Sequence, residues 1–312
     1  MQRAPDFFIV GQSKSGSTAL YEMLRHHPQI YMPALKEPMY FADELAAEPP
    51  SITLPMTLND YLSLFTSAMP EQRIGDASTL YLWSRNAARK IASLKPDARI
   101  IITLREPASF LRSLHLQYVQ IGLEKEQELG RALALEDVRR NGQQISQGGF
   151  WGPLLLYSDH LTYVHQLRRY LDAFPADQIL ILIYDDFRND NQATLRTILR
   201  FLGVSDTVPI PTIEANPSVR VRTDLMRLLD AVSQGRGRGL RIVKAAVEAV
   251  TTQPFRRAAQ KAVRDRFVYP KPQAPDHELM LEIRRKCKPE VVTLSEYLKR
   301  DMVTLWGYHD IG

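Results

Sequence analysis

Three short stretches of the chain carry residue types that could do chemistry on an anion. The first is Gly11-Gln12-Ser13-Lys14-Ser15-Gly16-Ser17-Thr18, which follows an apolar run and opens directly into a helical pattern. Backbone N–H groups at a helix N-terminus, aligned with the helix dipole, attract negative charge. Gly16 lets the backbone approach a ligand, Lys14 adds a charge, and Ser17 and Thr18 add hydroxyl donors. The glycine spacing is that of the nucleotide phosphate loop GxxxxGK[ST], but Ser17 stands where that motif has its lysine. The second stretch is the apolar run Arg99 to Leu104, which ends at Arg105. A P-loop phosphotransferase needs a metal-holding aspartate at such a strand end. An arginine there instead grips an anion directly, through paired charge-assisted hydrogen bonds. Ser109 and Ser113 lie one helical turn apart beyond it, so Ser113 can offer a hydroxyl to the same anion. The third stretch, PALKEPMYF, holds the pair Lys36-Glu37, in which Glu37 is an ionised carboxylate able to take a proton.

Two separated anion sites without a metal-binding acid imply a ligand with two anionic groups and no required metal. At this point the sequence resembles a known family. FFIVGQSKSGSTALYEML resembles the 5′-phosphosulfate loop of PAPS-dependent sulfotransferases, PAPS being 3′-phosphoadenosine 5′-phosphosulfate. IITLREPASFLRSLHLQY resembles their 3′-phosphate motif, an arginine followed eight residues later by serine. The likeness continues from Gly149 to Gly203, at Asn216-Pro217-Ser218, and in the closing helices. It implies that Lys14, Ser15, Gly16, Ser17 and Thr18 bind the 5′ end, that Arg105 and Ser113 hold the 3′-phosphate, and that Arg220 and Arg222 face the nucleotide. Lys14 would also stabilise charge on the leaving phosphate.

The Lys36-Glu37 segment looks like the one that supplies a catalytic glutamate in glycan-type sulfotransferases, and Lys36 would then help orient an acidic substrate or tune Glu37. Met39 replaces a histidine of some of those enzymes, and Ala77-Ser78 replaces a lysine, so the acceptor site is expected to differ from the heparan type. Trp151 and Tyr157, after the turn at Gly148-Gly149, are expected to line the acceptor pocket, with His160 near them. His26 and His27 are expected to cap a helix C-terminus, and His115 is the next candidate for the base. The implied reaction moves a sulfuryl group to a hydroxyl, less readily an amine, of a glycan, glycolipid or small molecule. Two other readings stay open. A small-molecule kinase is disfavoured by Ser17 and Arg105, and a non-catalytic nucleotide sensor would keep the donor motifs without needing Glu37.

The elements that position these residues read as an α/β fold. Phe7 to Val10, Gln29 to Met32, Arg99 to Leu104 and Ile179 to Tyr184 have strand character. Helical patterns cover Thr18 to His26, the stretch with Leu111, Leu114 and Tyr118, and His160 to Phe174. Another runs from Gln192 to Leu202 with Gly203 as its cap, and two close the chain, Asp276 to Lys286 and Pro289 to Arg300. Continuous apolar strands alternating with helices predict one domain over 1–312, a central mainly parallel sheet of the P-loop nucleotide-binding type. Ligands of such sheets bind at the carboxyl ends of the strands, and Glu37 follows a strand expected to lie beside the phosphate loop. Residues 44–73 and 223–270 read as excursions near the acceptor site.

Composition narrows the function class. The 312 residues are 45% hydrophobic and 24% charged, as in a soluble globular protein. No apolar run reaches the roughly 18 residues of a membrane span. MQRAPDFFIVG lacks a signal-peptide pattern, and one cysteine, Cys287, excludes an internal disulfide or a multi-cysteine metal site; a cytoplasmic location is expected. Lysine and arginine exceed acids by 40 to 35, with a basic concentration from Arg220 to Lys271. Without interleaved aromatics this does not point to nucleic acid. A packed helix with a solvated basic face is favoured over a lipid-linked acceptor at an anionic membrane surface.

Overall fold

The computed structural model describes residues 3–45, 55, 57–144, 152–211 and 276–312. The expected sites Trp151, Arg220 and Arg222, and the basic excursion 223–270, lie outside the described residues.

Five parallel strands form one sheet in the order β2-β3-β1-β4-β5. These are β1 Phe7–Gly11, β2 Ile30–Tyr31, β3 Arg73–Asp76, β4 Arg99–Leu104 and β5 Ile179–Ile183. Side chains alternate along a strand, and in the two central strands both faces are apolar. Phe8 and Val10 of β1 join Ile100, Ile102 and Leu104 of β4 in one core, while Phe7, Ile9 and Ile101 enter the other. Every one of these side chains is fully buried, which is why both runs read as unbroken hydrophobic stretches.

Helices cover both faces. In chain order they are α1 Ser17–Arg25, α2 Leu58–Ser63, α3 Ala87–Leu94, α4 Pro107–Gln120, α5 Leu129–Ala134, α6 Glu136–Arg140, α7 Tyr163–Leu171, α8 Tyr184–Asn189, α9 Asn191–Leu202, α10 His277–Leu298 and α11 Met302–Leu305. Helices α1 and α9 pack with Phe7 and Ile9, and α3, α4, α7 and α10 pack with Phe8 and Val10. Gly203 ends α9 in the left-handed conformation, φ 69°, as its sequence position predicts. Among the described residues no helix is long and apolar enough to cross a membrane.

Four expectations change. The closing helices are one, α10, with Pro289 inside it. Ile283, Cys287, Val291 and Leu294 form a single buried stripe across the proline, and that continuous burial outweighs the lost hydrogen bond. The helix from His160 begins later, because Tyr157–Leu161 is a separate 3-10 turn ahead of α7. The 44–73 excursion contains regular elements, since α2 lies within it and β3 starts at its end. Finally β2 does not adjoin β1. β3 pairs with both and separates them. With four residues, one of them exposed, β3 is too short to leave a periodic signature.

The insert after α4 is tied down by a buried ion pair. Arg139 Nη2 donates to Glu124 Oε1 at 2.9 Å, with side chains 3% and 1% exposed. Tyr157 OH donates to the other carboxylate oxygen at 3.1 Å, and Glu126 N–H donates to Oε1 at 2.8 Å.

Candidate active site

The loop expected to bind phosphate leaves β1 at Gly11 and turns into α1 at Gly16. Gly16 has φ 83°, and a Cβ there would come within 2.8 Å of the Phe187 ring, so both conformation and space require glycine. No side chain caps α1, and its first helical bond runs from Leu20 N–H to Gly16 O at 3.0 Å. The amides ahead of Leu20 therefore belong to the open turn of the helix, where the dipole favours an anion. Ser15 and Ser17 are buried in this turn and Thr18 is exposed at its edge. Lys14, at the top of the loop, is itself left-handed with φ 62°.

Arg105 is fixed beside it from four directions. Its Nη1 donates to Lys14 O at 2.8 Å, and its guanidinium lies 4.9 Å from the Tyr184 ring centroid. Its backbone N–H reaches Gln12 Oε1 at 3.1 Å, and its carbonyl accepts Tyr163 OH at 2.9 Å. Burial lowers the pKa of Lys14 below the ordinary lysine value; the neighbouring Arg105 charge lowers it further and Glu37 opposes. Burial also lowers Arg105. Among the described residues neither cation forms an ion pair with a carboxylate. Two half-buried positive charges held side by side at a helix N-terminus suit a polyanion. Arg112, lowered by burial and by Arg105, adds a third charge from α4, and buried Ser113 follows it.

The acid next to Arg105 is not available to a metal. Glu106 caps α4, accepting Ala108 N–H at 3.2 Å and Ser109 N–H at 2.7 Å, and it also receives the Tyr308 hydroxyl.

Glu37 reaches the loop across β3. Its Oε1 accepts Lys36 Nζ at 2.6 Å and Thr79 Oγ1 at 3.1 Å. Thr79 Oγ1 is also 2.8 Å from Ser13 Oγ. A threonine hydroxyl has one proton. Because Thr79 spends it on Glu37, Ser13 is the donor to Thr79, and the chain runs Ser13 to Thr79 to Glu37. The carboxylate thus sits one hydroxyl away from the phosphate loop, with Oε2 outside both contacts. Glu37 and Met39 are both left-handed, φ 60° and 54°, an uncommon state for residues with a Cβ.

The sulfotransferase domain family matches residues 4–216, a stretch that contains the phosphate loop, Glu37, Arg105 and Ser113. This chain belongs to the sulfotransferase family. A solved sulfotransferase from Alicyclobacillus acidocaldarius is 28% identical, with a TM-score of 0.59 over 81% of this chain and 99% of that one. Carbohydrate sulfotransferase 15 of Rattus norvegicus is 23% identical over 252 residues, 64% of this chain and 44% of that protein. Heparan sulfate glucosamine 3-O-sulfotransferase 6 of Homo sapiens is 26% identical over 209 residues, 66% of this chain and 54% of that protein. The matched part of this sulfotransferase thus spans about half the length of these relatives or less.

Other expected residues are displaced from the site. Tyr157 has no exposed surface, and its hydroxyl is held by Glu124, so it belongs to the core and does not line a pocket. An aromatic after a turn carries the same sequence signal in either place. His115 is also buried; its Nε2 donates to Glu126 O at 2.9 Å, and burial lowers its pKa. It is the packed helix residue, not a base beside Lys14. His160 is enclosed as well, pushed down to about 4 by burial. His26 is the C-cap of α1, and its Nδ1 donates to Glu22 O at 2.7 Å; His27 is bound instead to Ser205 O at 2.8 Å.

Sequence reasoning missed Ser13, Thr79, Gln12 and Tyr184 as partners of the site. Their only signal was position, each lying within a few residues of a strand's carboxyl end.

Proposed function

We propose that this sulfotransferase uses PAPS as donor and transfers its sulfuryl group to a hydroxyl of a glycan or glycan-like acceptor. The observation that carries the reading is the side-by-side placement of Lys14 and Arg105, two partly buried cations without carboxylate partners among the described residues, at the open N-terminus of α1. Lys14, Ser15, Gly16, Ser17 and Thr18 bind the 5′ end, and Arg105 with Ser113 takes the 3′-phosphate. The donor supplies an activated sulfuryl group; the protein supplies charge, alignment and a base. Lys14 offsets charge gathering on the leaving phosphate. Glu37, its Oε1 occupied by Lys36 and Thr79, takes the acceptor proton on Oε2.

The strand-end acids speak against a magnesium-dependent kinase. Glu106 is committed to capping α4, and Asp76, at the end of β3, is fully buried under three hydroxyl donors. A glycan acceptor is supported by the relatives, a carbohydrate sulfotransferase and a heparan sulfate glucosamine 3-O-sulfotransferase.

The test is transfer of label from [35S]PAPS to a panel of desulfated polysaccharides, oligosaccharides, glycolipids and phenols, repeated with Glu37→Gln. Transfer to a saccharide is expected, with kcat in the variant lower by about 10² to 10⁴ and donor affinity unchanged. Wild-type turnover in Glu37→Gln would remove Glu37 from the role of base, and label appearing only on phenols would overturn the glycan reading.

A further inference from the structure

The carboxylate that ends β3 takes no part in the chemistry above, yet it is joined to the turn that carries Glu37. Asp76 has no exposed surface. Its Oδ2 accepts Tyr61 OH at 2.8 Å and Tyr81 OH at 3.0 Å, and its Oδ1 accepts Ser78 Oγ at 2.7 Å. An ionised carboxylate can only accept, so it dictates where each of these three protons points. The Ser78 proton is committed to Asp76, and the serine oxygen is left to receive a donor. That donor is the Met39 N–H, at 3.1 Å.

The link matters because of the shape of the turn it reaches. Glu37 and Met39 are both left-handed, so this turn is held by contacts from outside and not by local preference. Ser78 supplies a backbone contact at Met39, and its neighbour Thr79 supplies the side-chain contact at Glu37 Oε1. Both arise from the segment directly after β3, whose orientation Asp76 fixes through Ser78 and through Tyr81 two residues beyond Thr79.

We propose that Asp76 is a positioning residue for Glu37. Acting through the Ser78 hydroxyl and the Met39 N–H, it holds the Glu37–Met39 turn so that Glu37 Oε2 faces the acceptor. This inference rests on the reading of Glu37 as the base. It assigns to a buried acid that touches neither donor nor acceptor a share in the transfer rate and none in donor binding.

The experiment uses acceptor-free hydrolysis of [35S]PAPS by the full chain, in which water is the nucleophile and the acceptor's identity is not needed. A bond forms between sulfur and the water oxygen, the bond from sulfur to the 5′-phosphate oxygen breaks, and the water proton passes to Glu37; the products are PAP and sulfate. Rates are expressed per PAP-binding site, counted by calorimetric titration with PAP, so unfolded molecules do not enter. Ser78→Ala removes the acceptor of the Met39 N–H, and Asp76→Ala, the second variant, frees the Ser78 proton. Each is measured in the wild-type and the Glu37→Gln background.

In the wild-type background each variant is expected to lose about tenfold in hydrolysis rate, as a misplaced reacting group does. PAP affinity should stay within about twofold, and in the Glu37→Gln background neither change should cost more than about twofold further, because both act through one carboxylate. Wild-type hydrolysis in Ser78→Ala, or an equal loss in both backgrounds, would overturn the positioning role while leaving Glu37 as the base. Wild-type hydrolysis in Glu37→Gln itself would overturn the base assignment, and the inference with it.

Discussion

Arg105 offers the sharpest test of donor recognition, because its removal should change ligand binding far more than it changes the fold. In the protein it makes one hydrogen bond to the Lys14 carbonyl and lies over Tyr184, while its charge works against Lys14. Arg105→Ala loses a contact worth about 0.5–1 kcal/mol over the ring. It also relieves repulsion between two half-buried cations, so the ligand-free melting temperature should move little. Charge-assisted bonds to a phosphate are worth about 1.5–3 kcal/mol each, and losing about 2.7 kcal/mol raises Kd roughly 100-fold. At PAP a hundredfold above the wild-type Kd, linkage stabilises the wild-type fold by about 2.7 kcal/mol and the variant by only about 0.4. For 312 residues with an unfolding entropy of about 2.1 cal/mol/K per residue, these become Tm shifts of about 4 °C and under about 1 °C. The assay is a thermal scan with PAP and, separately, with adenosine 5′-phosphate, which lacks the 3′-phosphate. Arg105→Ala should reduce the PAP shift to that of adenosine 5′-phosphate. An equal loss for both ligands would show that Arg105 reads the 5′ end, and the division between the two anion sites would fall.

The other changes are as readily measured. Lys14→Ala should lower kcat beyond its effect on PAP affinity, since its charge is needed most as the leaving group develops; transient kinetics that separate binding from transfer will check this. Arg139→Met should cost about 3–5 kcal/mol in urea unfolding, because it strands Glu124, 1% exposed, without its cation. Asp76 should give a pH signature. Burial pushes its pKa from 3.8 up to about 6, the Glu37 charge acts in the same direction, and bonds from Ser78, Tyr61 and Tyr81 oppose. Its folded pKa lies above the unfolded one, so between those values the folded state holds the proton and stability falls as pH rises, by about 3 kcal/mol in all. Asp76→Asn should abolish that fall, so the wild-type-minus-variant stability should drop between about pH 4 and pH 6 and be flat on either side; a difference constant across the window would contradict the assignment.

Much of the site was legible because its residues sit where local rules act. The loop expected to bind phosphate joins a fully buried apolar strand to a helix without a side-chain cap, and Arg105 follows another such strand, so spacing alone brought both to the sheet's carboxyl edge. The strand order was not legible, because β3 is four residues long and ends in a charge that sequence reasoning takes for a surface group. Its insertion between β2 and β1 moves Glu37 one strand away from the loop, and Thr79 makes up the distance. Tyr157 and His115 misled for a different reason. Residues that are polar at one end and apolar along the rest serve a pocket or a core equally well, and a buried ion pair at Glu124 drew both regions into the core.

The sheet order also accounts for how the roles divide. A parallel sheet gathers the carboxyl ends of its strands along one edge, about 4.8 Å apart from strand to neighbouring strand. In the sequence β3-β1-β4 those ends carry Asp76, the Lys14 loop and Arg105. The positive charges follow β1 and β4, and the hydroxyls that contact Glu37 and its turn follow β3, on the opposite side of the loop. With β3 between β2 and β1, Glu37 pairs with its chain neighbour Lys36 at 2.6 Å, and Lys14 lies beside Arg105 without a carboxylate partner among the described residues. The short strand that sequence reading passed over therefore lies between the proposed base and the proposed anion site, which a single threonine hydroxyl joins.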